Sequence, residues 1–350
     1  DAIGGHTNAF TSMESTCYHA KVMDTHLEKM VDILSDIFLN SVFHADEIER
    51  ERMVILQEIG MVEDAPEEYV HILSGNAFWG DHPLGRSILG TRKNINHFKP
   101  KALLDFFQRL YQPERIVVSA AGNLEHEQIV DLIAATFAEI KPGDGFPDRE
   151  APVGRSLVNI HYRDLEQLHL CIGTKGLSII EPQRYAFSLL NTILGGNMSS
   201  RLFQEIRERR GLAYSVYTFV TSLFDTGMFG VYAGIDPSNT VETIDLICKE
   251  MRRQKEERVD AGELSDAKEF TKGSLMLASE SVDNQMVRLA QNEIHFQKQI
   301  PLKKVVEKIE SVSEEDIFDL AASLFQPDQL TLTLLGPVSK DNQFEDILIL

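Results

Sequence analysis

One segment of this chain occurs twice. Residues 111–123 read YQPERIVVSAAGN, and residues 325–337 read FQPDQLTLTLLGP. In both, an aromatic residue, Gln, Pro and an acidic residue precede a run of β-branched residues or leucines that ends near a glycine. Each copy follows an amphipathic segment, KALLDFFQRL in the first case and EEDIFDLAASL in the second. Because the match stands at the end of each half, it favours a duplicated domain over a chance helix–proline–strand recurrence.

The length of the chain agrees with this interpretation. A chain of 350 residues is too long for one ordinary core and suits two domains. The stretch KPGDGFPDREAPVG, at 141–154, has three prolines, three glycines and few apolar anchors, as linkers do. The sequence therefore predicts an N-terminal domain at 1–142, a linker at 143–154 and a homologous C-terminal domain at 155–350.

Hydrophobic periodicity gives a mixture of strands and helices without strict alternation. The predicted strands are 16–22, 115–122, 156–162, 169–176, 214–220, 228–235 and 330–336. The predicted helices are 24–39, 45–63, 100–110, 126–140, 183–194, 199–209, 238–257, 262–278, 283–295 and 314–324. The predicted fold class is α+β, with two homologous domains that are each a largely antiparallel sheet with helices packed on one face.

Charge and composition exclude some classes of partner. The formal net charge is −20, from 54 acidic and 34 basic residues, which argues against nucleic acid because phosphate binding needs a basic surface. An acidic surface promotes solubility and can attract basic ligands. No apolar run approaches the ~20 residues that cross a bilayer, so no membrane partner is predicted. Three widely spaced cysteines indicate free thiols and a reducing compartment, for which we predict a bacterial cytoplasm.

The segment 45–63 places carboxylates among apolar residues. At about 100° per residue, Glu51, Ile55, Glu58 and Val62 fall on one helix face. A buried carboxylate needs a partner, and a metal ion is one adequate partner. Alternatively, both glutamates lie at the exposed edge of the stripe and pair with neighbouring arginines. Helical geometry alone leaves both interpretations open.

Four motifs, in this order along the chain, resemble one known family. They are GGHTNAFTSMESTCYHAKV, ERERMVILQEI, HPLGRSILGTRKNI and SSRLFQEIRERRGLAYSVY. Together they are similar to the pitrilysin and mitochondrial-processing-peptidase family of zinc peptidases. The resemblance implies a metalloendopeptidase in which an HxxEH helix supplies two zinc-binding histidines and a glutamate that activates water.

The resemblance also implies roles for individual residues. Glu58 matches the family's further zinc ligand, and Glu51 matches an acidic residue that supports catalysis. Arg207 and Tyr214 match a pair that holds the substrate and stabilises the oxyanion. Residues Asn8, Ala9 and Phe10 match an edge strand on which an extended peptide is laid. Without the resemblance, these would be a solvated arginine, a core tyrosine and an ordinary half-buried strand.

Neither HxxEH nor HExxH occurs in this sequence. The resemblance would place that helix, and the first strand of the first domain, before Asp1. We therefore expect this chain to be inactive and not to bind zinc by itself. Either it is a fragment of a zinc endopeptidase that cleaves unfolded peptides or targeting sequences in a two-domain chamber, or it is a non-catalytic subunit or scaffold that binds peptide or an active partner. A homodimer is plausible in both cases.

Overall fold

The computed structural model describes residues 2–140, 142–143, 145, 149–339 and 344–348. Its strands are β1 His6–Thr11, β2 Thr16–Lys21, β3 Leu157–Tyr162, β4 Leu168–Lys175, β5 Ala213–Ser222, β6 Gly227–Ile235 and β7 Thr331–Gly336. Its α-helices are α1 Leu27–Leu39, α2 Ala45–Glu63, α3 Pro66–Trp79, α4 Arg92–His97, α5 Pro100–Leu110, α6 His126–Thr136, α7 Arg184–Leu194, α8 Thr240–Glu256, α9 Ala261–Ala278, α10 Val282–Phe296, α11 Leu302–Glu310 and α12 Glu314–Leu324. These mixed elements confirm the predicted α+β class.

The chain forms two compact units, and each takes segments from both halves of the sequence. Unit 1 comprises 1–60, 88–150 and 277–299, and unit 2 comprises 61–87, 151–276 and 300–350. Thus α3 from the first half lies in unit 2, and α10 from the second half lies in unit 1. The boundaries 1–142, 143–154 and 155–350 describe the duplication in sequence and stay a prediction. Residues 144 and 146–148 of the predicted linker lie outside the described residues.

Unit 2 is built on a five-stranded sheet with the order β3-β7-β4-β6-β5. Only the β3–β7 pair is parallel among these strands, so the sheet is largely antiparallel as predicted. Along β4, Leu168, Leu170 and Ile172 face the large core that contains residues of α7, α8 and α12. Cys171 points to the opposite face, where it packs with Val70 and Leu73 of α3. Because side chains alternate along a strand, β4 is buried on both faces.

Helix α3 is the main element that the sequence did not predict. Its residues Val70, Leu73, Phe78 and Trp79 are buried. Burial extends around much of the helix because it lies against the sheet of unit 2, so the one-sided apolar pattern of a surface helix is absent. The second face of the sheet is therefore covered, in addition to the predicted helix layer on the first face.

Unit 1 contains a two-stranded sheet, the antiparallel hairpin of β1 and β2. The predicted strand at 115–122 is wrong, because residues 116–121 join no ladder within the described part of the chain. Their repeat counterpart, β7, is a strand because it pairs with β3 on one side and β4 on the other. A β-branched sequence becomes a strand only where partners saturate its main chain. Among the described residues of unit 1, nothing takes the place of those two strands.

The two units also differ in how many of their side chains are buried. Fully buried side chains among the described residues of unit 1 are few: Val31, Ser35, Ile59, Ile95 and Asn292. The remaining core of the chain belongs to unit 2, including the whole of β6. Since apolar burial is the main stabilising term in folding, unit 2 holds most of the stability of this chain.

Candidate peptide-binding site

Arg207 and Tyr214 lie on consecutive elements of unit 2. Arg207 is in a helical segment at 201–209, of which Phe203–Arg209 is a π-helix. Gly211 has φ +64, a left-handed conformation that suits glycine and lets the chain turn into β5. Tyr214 stands near the start of β5 and is 76% exposed. The short connection brings the two side chains together, and π-helical turns occur often at functional sites.

The Arg207 guanidinium lies over two aromatic rings. Its Cζ is 4.8 Å from the Tyr214 ring centroid and 4.7 Å from that of Phe203. Both distances are within the ~6 Å range of cation–π attraction. The nearest carboxylate is that of Glu208, whose Oε1 is 3.7 Å from Arg207 Nε and so too far for a good hydrogen bond. The structure thus brings the predicted pair together, and Tyr214 is exposed rather than a core aromatic.

The other arginines of this segment are neutralised by carboxylates. Arg201 donates to both oxygens of Glu263, at 2.8 and 2.6 Å. Arg210 and Arg209 each donate to Glu205 at 2.9 Å, and they hold the pKa of that carboxyl below its usual range. Arg210 also reaches Glu242 at 3.0 Å. Among the described residues, Arg207 is therefore the arginine of this segment that makes no hydrogen bond to a carboxylate.

Glu51 and Glu58 lie on α2, which has the predicted bounds. Both are exposed, and the buried residue of the helix is Ile59. The buried face of α2 is therefore rotated about the helix axis from the predicted face. The two carboxylates border the buried face and do not lie within it. Neither pairs with a neighbouring arginine, because Arg50 binds Glu47 and Arg52 binds Glu49. The roles assigned to Glu51 and Glu58 stay predictions.

Asn8, Ala9 and Phe10 lie on β1, whose residues are all exposed. β1 pairs with β2 on one side, and among the described residues no strand occupies its other side. This is an edge strand, the kind of element to which an extended peptide can add. The Asn8 side chain accepts a hydrogen bond from the Ala9 main-chain N–H at 2.8 Å. The substrate role of these three residues is likewise untested.

The sequence did not predict a hydrogen-bonded network between α3 and the sheet of unit 2. Tyr217 Oη donates to Glu67 Oε1 at 3.0 Å and lies 3.0 Å from His71 Nε2. Because the single Tyr217 hydrogen goes to a carboxylate, His71 Nε2 must be the donor in the second contact. His71 Nδ1 then accepts from the Cys171 thiol, whose Sγ is 3.9 Å away. These residues come from distant parts of the sequence, so no local pattern could have revealed them.

The buried position of His71 in this network predicts that the stability of the protein depends on pH. Burial lowers the pKa of His71, an effect that the Glu67 charge opposes. Because the pKa is lower in the folded state, the unfolded state binds more protons as the pH falls below about 6.5, and stability is then lost. Replacing His71 with Gln should reduce the slope of unfolding free energy against pH below 6.5, by at most about 1.4 kcal/mol per pH unit.

Urea titrations between pH 5 and pH 8 measure that slope. His169 also has a burial-lowered pKa, so the variant should keep a smaller slope. The matched control is the same substitution at the exposed His126, which should leave the slope contributed by His71 in place. An H71Q profile parallel to that of the parent chain would contradict the prediction.

Comparison with known proteins gives one family along most of the chain. The family described as "Insulinase (Peptidase family M16)" matches residues 1–92, and "Peptidase M16 inactive domain" matches residues 97–270. The uncharacterized zinc protease YmxG of Bacillus subtilis is 38% identical over 337 residues, covering 96% of this chain and 82% of that protein. An uncharacterized zinc protease of Streptomyces coelicolor is 36% identical, covering 98% of this chain and 76% of the relative. The chain belongs to the M16 peptidase family.

Solved structures agree with the M16 fold. A protease from Helicobacter pylori superposes with a TM-score of 0.84 at 20% identity, covering 96% of this chain and 82% of that one. An M16 inactive domain from Pseudomonas fluorescens superposes with a TM-score of 0.85 at 19% identity, covering 97% and 82%. These similarities are below 25% identity and show the fold only. Among the described residues, every helix is too short or too polar to span a lipid bilayer.

The zinc that the names of M16 relatives imply does not fit the residues present. A catalytic zinc site uses three protein ligands and leaves one position open. In the described part of the chain, no three His, Cys, Asp or Glu side chains lie close enough to form such a set. Glu58 is a single exposed carboxylate on α2. The described residues therefore do not form a catalytic zinc site by themselves.

Proposed function

We propose that this chain is the substrate-holding part of an M16 zinc endopeptidase. Its substrates would be unfolded peptides or targeting sequences in extended conformation. The observation that carries this proposal is the Arg207 guanidinium, unsaturated by carboxylates and lying over the exposed Tyr214. Catalysis would require zinc ligands that precede Asp1, as the resemblance to HxxEH peptidases implies.

The chemistry of this pair suits a peptide bond. The guanidinium has five N–H donors, and a substrate carbonyl can accept from them. The Tyr214 hydroxyl can donate to the oxyanion that forms when that carbonyl is attacked. Separately, in unit 1, the edge of β1 could bind a peptide main chain by strand addition, which tolerates many side-chain sequences. The charge of −20 would favour basic peptides.

A non-catalytic subunit or scaffold is the second candidate. It is favoured by the absence of a three-ligand cluster among the described residues. In that role the same surface would bind peptide, or an active partner, without cleaving it.

The leading proposal also includes a homodimer and a bacterial cytoplasmic location.

The deciding experiment compares this chain with a version extended upstream to the start of its reading frame. Zinc content is measured by metal analysis, and cleavage is measured with a quenched basic peptide. We expect only the extended protein to bind about one zinc per chain and to cleave. An extended protein that binds no zinc would support the non-catalytic candidate instead.

In the extended protein, replacing Glu58 with Gln should abolish both zinc binding and cleavage, because the amide is a much weaker zinc ligand than a carboxylate. The matched control is Glu47→Gln on the same helix, where the glutamate pairs with Arg50 at the surface. That control should retain zinc and activity. Full zinc content and full activity in the E58Q protein would exclude Glu58 as a ligand.

A further inference from the structure

Phe203 is an aromatic contact of Arg207 that the proposed site does not explain. It lies four residues before Arg207 at the start of the π-helical segment and is half-buried. Arg207 Cζ is 4.7 Å from its ring centroid, as close as it is to Tyr214. The guanidinium is therefore held by two rings, one from its own helical segment and one from β5.

A contact with a ring reduces the entropy that the arginine side chain loses when it binds a ligand. An arginine side chain has many rotamers, and it loses that freedom when it binds a ligand. Arg201, Arg209 and Arg210 are each held by hydrogen bonds to carboxylates, which occupy some of their donors and offset their charge. An aromatic ring instead contacts the face of the guanidinium plane and leaves the N–H groups at its edge available. A ring can thus orient Arg207 without neutralising it.

We propose that Phe203 is a positioning residue for Arg207, holding its guanidinium over Tyr214 with its donors free for a substrate carbonyl. This inference rests on the proposed function, in which Arg207 binds the peptide. The widened π-helical turn carries both residues, so the register of the segment sets where the ring stands relative to the guanidinium. Glu205, in the same turn, accepts hydrogen bonds from Arg209 and Arg210, so both of these cations are paired with a carboxylate.

The first measurement tests the contact in this chain and needs no activity. In protein labelled at arginine, the Arg207 side-chain NMR signals are assigned by their loss in Arg207→Lys. Ring currents should displace those signals in the parent chain. The displacement should shrink in Phe203→Leu and Phe203→Met and persist in Phe203→Tyr. Two ring deletions are used so that one poorly folded variant does not decide the outcome. Unchanged signals in both folded variants would overturn the inference.

The second measurement tests the role in the extended protein with the quenched peptide. We expect kcat/KM to fall about threefold to tenfold in F203L, the range for losing one partly exposed cation–π contact, and to return to within about twofold of the parent value in F203Y. In an Arg207→Lys background, F203L should add little, because the two residues act as one unit. The matched control is Phe270→Leu on α9, a half-exposed phenylalanine of the same unit, which should leave kcat/KM unchanged.

The two proposals fail in distinguishable ways. If the extended parent protein binds no zinc and cleaves nothing, the proposed function fails, and the substrate role of Phe203 fails with it, whatever the NMR signals show. If the parent cleaves and F203L cleaves equally well, only the positioning role is overturned. An equal loss in F203L and F270L would also overturn it, since that loss would reflect general destabilisation.

Discussion

In the extended protein, replacing Tyr214 with Phe or Arg207 with Lys should each lower kcat about 100-fold. Removal of one preorganised donor from an oxyanion site costs 10²–10³ in kcat, and Tyr214→Phe removes only the hydroxyl. Arg207→Lys keeps the charge but loses the planar donor set and the stacking over Tyr214 and Phe203. Steady-state kinetics on the quenched peptide, with both kcat and KM determined, measures the effect.

The controls for this prediction use the same chemical changes at residues outside the pair. Arg209→Lys alters an arginine that already pairs with Glu205, and Tyr162→Phe alters an exposed tyrosine on β3. Both should leave kcat within about twofold of the parent value. A Y214F protein with normal kcat and raised KM would instead indicate that Tyr214 binds the substrate without stabilising the transition state.

Amide hydrogen-exchange rates in this chain should be a thousandfold or more slower in unit 2 than in unit 1. Amides of α7, α8, β4 and β6 in unit 2 lie against the large core and should open only with global unfolding. Amides of α1, α5 and α6 in unit 1 have few buried neighbours and should exchange through local opening. A gap of about 4 kcal/mol in opening free energy, ordinary for a stable domain, corresponds to a thousandfold in rate.

Mass-spectrometric exchange on peptides that cover each helix measures this difference. Comparing α1 with α8 controls for secondary structure, since both are helices of more than three turns. In the extended protein, we expect exchange in α1 and at 116–121 to slow markedly, because the first strand and the HxxEH helix that the resemblance implies would add pairing partners and buried contacts to unit 1. If α1 is as protected as α8 in this chain, unit 1 is stable without further polypeptide and the prediction is wrong.

Local sequence determined much of the secondary structure. The bounds of α2, α5 and α12 agree with the predicted helices at 45–63, 100–110 and 314–324 to within one residue. These helices have strong periodicity or clear termini, such as Ser313, whose side chain caps α12 in a capping box. The strands of unit 2 were predicted to within about two residues. The motifs also sufficed to identify the family, because their order and spacing are carried by the sequence alone.

Tertiary structure decided what depends on distant partners. Residues 115–122 have the sequence of a strand but form no ladder, because strand formation needs a neighbouring main chain and the described part of unit 1 provides none there. Helix α3 is buried against a sheet from the other half of the sequence, so its own pattern did not reveal it. Arg207 was identified by its motif, but its place over Phe203 and Tyr214 follows from the π-helical turn and the pairing of its neighbours with carboxylates. The sequence determines which groups are present, and only the fold determines which of them remain available to bind a substrate.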